Sequence, residues 1–105
     1  MAYPSNYQAI KQIEILGEVG TARQLTAGSA SSNTALTTSV NRISMRAVGA
    51  DIRYSVGIGT QTANGNTSHF IANGERLDIA VPGNANIAVI RDGTVNGTLE
   101  LTELI

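Results

Sequence analysis

From about residue 22 onward, apolar and polar residues alternate over short stretches of the chain. Ile43, Met45 and Ala47 alternate with Arg42, Ser44 and Arg46, and Ile52, Tyr54, Val56 and Ile58 alternate with Asp51, Arg53, Ser55 and Gly57. Leu77, Ile79 and Val81 do the same with Arg76, Asp78 and Ala80. Successive side chains of an extended strand point to opposite faces, so each stretch predicts a strand with one apolar face and one wet face. Leu36, Thr38 and Val40 form a weaker version, and Leu99 and Leu101 against Thr98, Glu100 and Thr102 supply the last strand. Ala85 to Ile90 is more continuously apolar, the pattern of a strand covered on both faces or lying at a subunit contact.

Turn chemistry falls between these stretches. Asn64-Gly65, Asn73-Gly74, Pro82-Gly83, Asp92-Gly93 and Asn96-Gly97 are turn dipeptides. Gly accepts positive φ, and Asn or Asp tolerates it through local hydrogen bonds. Short strands separated by turns at roughly 8–12-residue intervals predict an all-β fold, a small antiparallel β-sandwich of jelly-roll or immunoglobulin-like type with about six to eight strands. Abundant Thr, Ser and Asn point the same way, because these side chains compete with a helical backbone for hydrogen bonds.

The first twenty residues follow another pattern. Ser5-Asn6-Tyr7-Gln8 matches a capping box after Pro4, and Tyr7, Ile10, Ile13 and Leu16 recur every three residues before Gly17, which describes a short helix. Ile13 and Ile15 alternating with Gln12 and Glu14 describe a strand equally well. The pattern therefore divides the chain into an N-terminal arm or first element, residues 1–20, and a sandwich domain, residues 21–105. Residues 27–34, Ala-Gly-Ser-Ala-Ser-Ser-Asn-Thr, are predicted to be loop.

Composition narrows the function. A chain of 105 residues buries about two-thirds of its unfolded surface, enough for one core and one domain. Lys+Arg 7 against Asp+Glu 8 gives a net charge of −1, and the cations are scattered, so no basic surface for nucleic acid or for an anionic membrane is expected. Cys is absent, which excludes disulfides, thiolate metal sites and thiol nucleophiles. No stretch approaches the roughly 20 apolar residues of a membrane span, and Met1-Ala2-Tyr3-Pro4-Ser5-Asn6 lacks the basic-then-apolar design of a signal peptide, so the expected place of synthesis is the cytoplasm.

Catalytic chemistry finds little to work with. His69 is the single imidazole, and Ser68 beside it would point to the opposite face of a strand, poorly placed to share a proton with it. His69, Glu75 and Pro82-Gly83 loosely follow the metal motif of cupin barrels, but one histidine leaves too few ligands for a transition metal. Gly57-Ile58-Gly59 lacks the rest of a phosphate loop and reads as a strand-end bulge or close packing. Asp92, Glu75 and Asp78 read as a turn residue and a solvated strand face. Asn66-Thr67-Ser68 and Asn96-Gly97-Thr98 match the glycosylation sequon by chance in a chain with no secretory signal. Without Trp, and with Tyr54 on an inward face, Tyr3, Tyr7 and Phe70 are too few exposed rings to argue sugar binding. No cofactor, metal or catalytic residue is expected.

Ala50-Asp51-Ile52-Arg53-Tyr54-Ser55-Val56-Gly57, Ser68-His69-Phe70-Ile71, the run from Gly74 to Pro82, Ile87-Ala88-Val89-Ile90 and the run from Gly97 to Leu104 together resemble a group of small tailed-bacteriophage virion proteins. The opening, Tyr3-Pro4-Ser5-Asn6-Tyr7 through Ile10-Lys11-Gln12-Ile13, is similar to theirs too, so the resemblance covers most of the chain. It implies a non-enzymatic structural protein of the virion, made in the host cytoplasm, that decorates and cements the capsid. The partners it implies are the major capsid protein or other virion proteins, and further copies of the chain, with a trimer as the expected oligomer. Alternative stations are the neck, the tail or a fibre attachment. An alternative activity is a carbohydrate-binding module on the virion surface, built on loops 60–74 and 92–97. In the cement reading, Tyr3, Tyr7, Ile10 and Ile13 are the contact residues, because an arm outside the sandwich must bury its apolar side chains elsewhere.

Overall fold

The computed structural model describes residues 18–105, and the regular structure among them is entirely strand. The strands are β1 (Val19–Ala27), β2 (Ser32–Ala35), β3 (Arg42–Val48), β4 (Ile52–Ile58), β5 (His69–Ile71), β6 (Arg76–Ala80), β7 (Ala85–Arg91) and β8 (Gly97–Leu104). They form two four-stranded antiparallel sheets, one in the order β1-β8-β3-β6 and the other β2-β7-β4-β5. Consecutive strands lie in opposite sheets except β4 and β5, so the chain crosses from sheet to sheet at almost every connection. This is the strand order of an eight-stranded jelly roll; an immunoglobulin sandwich would keep its first two strands side by side in one sheet.

The alternation read in the sequence maps onto the packing. Ile43, Met45 and Ala47 of β3, Ile52 and Tyr54 of β4, Ile87 and Val89 of β7 and Leu99 and Leu101 of β8 point inward and are buried together. The central strands β8, β3, β7 and β4 supply most of this core. Leu77 and Ile79 of β6 are only half-buried, since β6 is an edge strand and its inward row lies at the rim. Val81 leaves the strand but stays buried, and its N–H donates to the Asn41 carbonyl at 2.9 Å.

Two predicted elements fall differently. Ser32–Ala35, overlapping the segment 27–34 expected to be loop, is β2, and Leu36–Val40 is a turn. A four-residue edge strand of Ser, Asn, Thr and Ala has no apolar alternation to announce it; its place is fixed by the β7 ladder, from Ser32 opposite Val89 to Ala35 opposite Asn86. Leu36 and Val40 are buried as their hydrophobicity demands, but Ser39 at φ 75° turns the chain between them. The sandwich also begins earlier than residue 21: β1 starts at Val19, and Glu18 exchanges two backbone hydrogen bonds with Ile105. The helix-or-strand question over the opening of the chain lies outside the described residues.

Candidate functional site

The connections β3–β4, β5–β6 and β7–β8 gather at one end of the sandwich. Gly74 N–H donates to the Ala47 carbonyl at 2.7 Å, Gly49 N–H to Asn73 Oδ1 at 3.0 Å, Asn73 N–H to Asp51 Oδ1 at 2.7 Å, and Asp92 N–H to the Asp51 carbonyl at 3.1 Å. Between them lies an open depression of about 300 Å³, lined by Gly49, Asp51, Asn73, Asp92, Thr94 and Val95 among others. Its two carboxylates are already partnered. Asp51 accepts from Asn73, and Asp92 Oδ1 accepts from Arg53 Nε at 2.8 Å. Arg53 also donates to the Ser68 carbonyl at 3.0 Å, and its guanidinium lies 4.8 Å from the centre of the half-exposed Phe70 ring.

Of the loops proposed for sugar binding, Asn73 and Asp92–Val95 thus come together. Residues 60–68 do something else, crossing the outer face of the second sheet. Gln61 N–H donates to Asn33 Oδ1 at 2.9 Å, while the Gln61 side-chain oxygen accepts from Ser55 Oγ at 2.9 Å. Asn33 on β2 and Ser55 on β4 both flank Ala88 of β7, so Gln61 spans the strand between them. Ala63 N–H donates to Ser31 Oγ at 2.8 Å beyond it. Ala88 and Ala63 are buried, and this is why Ala85–Ile90 reads as covered on both faces: the second cover is the protein's own loop. Gly57 makes room for it, because a Cβ there would lie 2.9 Å from Gln61 Nε2.

At the opposite end, Glu103 is the buried charged residue of the described chain, 1% exposed. The alternation that turns Leu99 and Leu101 inward turns Glu103 inward too, and this period-two extension of the row is the signal that could have found it. Arg23 Nε donates to Glu103 Oε2 at 3.0 Å, and Thr37 N–H donates to the same oxygen at 2.9 Å. Burial pushes the Glu103 carboxyl up, but the hydroxyl and amide of Thr37 and the Arg23 guanidinium outweigh it and hold the acid below its ordinary value. The cluster ties β8 and β1 to the β2–β3 turn.

The remaining candidates lie on or beside β5 and β6. His69 is exposed on the edge strand β5, opposite Tyr54, with ring centroids 5.4 Å apart. Burial, and then the charge of Glu75, pushes the Tyr54 hydroxyl above its ordinary value. Ser68 Oγ accepts the Asn64 N–H at 2.8 Å. Glu75 Oε1 accepts the Ala72 N–H at 2.9 Å and closes the β5–β6 turn, and Asp78 lies 3.9 Å from Arg76 on the outer face of β6. Among the described residues no three His, Cys, Asp or Glu side chains are grouped to hold a metal ion. No described helix is long and apolar enough to cross a membrane.

The predicted contact residues Tyr3, Tyr7, Ile10 and Ile13 lie outside the described residues. Where the described residues begin, Val19 is 75% exposed opposite Leu104 and Ile105 is 65% exposed opposite Glu18. Compared with protein-family models, curated proteins and solved structures, the chain matches none of them.

Proposed function

We propose that this protein is a non-enzymatic structural protein of a tailed-phage virion, a capsid decoration protein that cements the shell by burying surface across subunit boundaries. The observation that carries the proposal is the exposure of Val19 and of Ile105, on adjacent rungs of the β1–β8 ladder next to a stretch of sequence rich in apolar residues. Large aliphatic side chains left in water gain about 1.5–3 kcal/mol each when a neighbour covers them. The jelly-roll sandwich is a fold used by viral capsid domains among other functions, and the resemblance in sequence points in the same direction; fold alone assigns no function. In this reading Tyr3, Tyr7, Ile10 and Ile13 are the residues that contact the capsid or further copies of the chain, with a trimer as the expected unit.

The test is removal of residues 1–17, which leaves the Glu18–Ile105 pair intact. A truncated domain that keeps its cooperative unfolding but no longer binds particles supports the arm as the capsid contact. Unchanged particle binding by the truncated domain refutes that role, and collapse of the domain makes the segment part of the fold and refutes it as well. A second reading, binding of a neutral sugar, has one observation in its favour, the gathering of Asn73, Asp92 and Thr94 around the open depression. Glycan-array binding lost on Asn73→Ala would support that reading.

A further inference from the structure

We infer that Asn64 is a site of spontaneous deamidation, and that the fold protects the other two Asn-Gly pairs, Asn73-Gly74 and Asn96-Gly97. In this reaction the backbone nitrogen of the following residue loses its proton and attacks the side-chain Cγ. The new N–Cγ bond closes a succinimide as the Cγ–Nδ2 bond breaks and ammonia leaves. Water then opens the ring at either carbonyl to give Asp or isoAsp. Nothing is oxidised or reduced, and water is the one co-reactant. A glycine as the second residue offers the least steric resistance to the attack, so all three pairs are intrinsically susceptible.

Exposure does not separate them, because Asn64, Asn73 and Asn96 are all exposed. The electrophile does not separate them either. Each amide oxygen accepts a hydrogen bond that polarises the carbonyl: from Asn66 N–H at 2.8 Å, from Gly49 N–H at 3.0 Å and from Arg91 Nη1 at 2.8 Å respectively. The nucleophile separates them. Gly74 N–H is committed to the Ala47 carbonyl at 2.7 Å, and Gly74 is held at φ 84°. Gly97 is buried at the start of β8, opposite Ala27 and packed so closely that a Cβ would lie 3.2 Å from the Val48 carbonyl oxygen and from Ala50. Gly65 sits on the exposed turn between Asn64 and Ser68, where its N–H has no hydrogen-bond partner among the described residues. Each hydrogen bond that must open before attack slows it by about tenfold, since a net bond of about 1.4 kcal/mol is a factor of ten.

The full-length protein, incubated folded at mildly alkaline pH and mapped by peptide mass spectrometry, tests this. The expected result is conversion of NH2 to OH at Asn64 at least about tenfold faster than at Asn73, whose following N–H is hydrogen-bonded, and faster than at Asn96, with comparable rates at all three sites in a urea-unfolded control. Gly65→Ala should suppress the reaction at Asn64 without loss of stability, because Gly65 has ordinary φ and the nearest atom to its added Cβ, the Arg91 carbonyl oxygen, is 3.9 Å away. Faster conversion at Asn73 or Asn96 in the folded protein overturns the inference. So does an unmodified Asn64 under conditions that convert it in urea.

Discussion

Replacing Glu103 by Gln removes a charge at the closed end of the core while keeping the side chain's size. In the native protein Glu103 Oε2 accepts from both Arg23 Nε and Thr37 N–H, and the side chain is 1% exposed against 25% for Arg23. Breaking a fully buried pair costs about 3–5 kcal/mol, but Arg23 can turn part of its guanidinium to water, which lowers the expected loss to about 2–3 kcal/mol. For a domain of this size that corresponds to a fall in Tm of roughly 10–20 °C. The direction of the pH dependence follows from the depressed carboxyl. A group whose folded value lies below its unfolded value contributes stability that is complete above the unfolded value, about 4.5, and lost as pH falls through the folded one. Urea unfolding of the two proteins should therefore show the full difference at about pH 7 and a difference that shrinks as the pH falls below the unfolded value. A difference under about 0.5 kcal/mol at neutral pH, or one that persists undiminished in acid, would show that the Glu103 charge does not hold this end of the core.

Other substitutions probe the packing. Replacing Glu103 by Leu together with Arg23 by Met should cost less than Glu103→Gln alone, because a well-packed apolar pair leaves no stranded charge; equilibrium unfolding of both variants checks this. Ile87→Ala, in the centre of the second sheet and fully buried, should lose about 2–5 kcal/mol by urea unfolding. Gly97→Ala should cost about 1–3 kcal/mol, because the atoms its Cβ meets at 3.2 Å include the backbone of Val48 and Ala50. Gly57→Ala meets only the end of the Gln61 side chain, so it should cost about 1 kcal/mol and raise amide exchange at Gln61 and Ala63 while leaving the core strands protected.

The fold was legible where one face of a strand is buried. β3, β4 and β8 carry clean alternation because each has an inward row of Ile, Met, Leu or Tyr and an outward row of Arg, Ser, Thr or Glu. β2 and β5 were illegible as strands for the converse reason. Each is an edge strand of four residues or fewer, placed by its neighbour's hydrogen bonds, and Asn33 on β2 serves the loop that crosses the sheet. Alternation is also blind to strand order, so it left jelly-roll and immunoglobulin topologies open until the β1-β8-β3-β6 sheet decided for the former. The unbroken apolar run of β7 signalled two covered faces but could not distinguish the 59–68 loop from a neighbouring subunit as the second cover. Among the functional candidates, His69 lies on the edge strand β5, opposite Tyr54. The Glu103 cluster depends on Arg23 and Thr37, far from it in the chain, and only the outline of its inward-facing carboxylate is visible in the alternation.

The proposed place of this chain in the shell of a virion rests on one quantity, its copy number relative to the major capsid protein in purified particles. Quantitative mass spectrometry should find a simple fixed fraction of the capsid protein count. A handful of copies per particle would move the protein to the neck, tail or fibres and contradict the cement role, and absence from particles would contradict the virion assignment altogether.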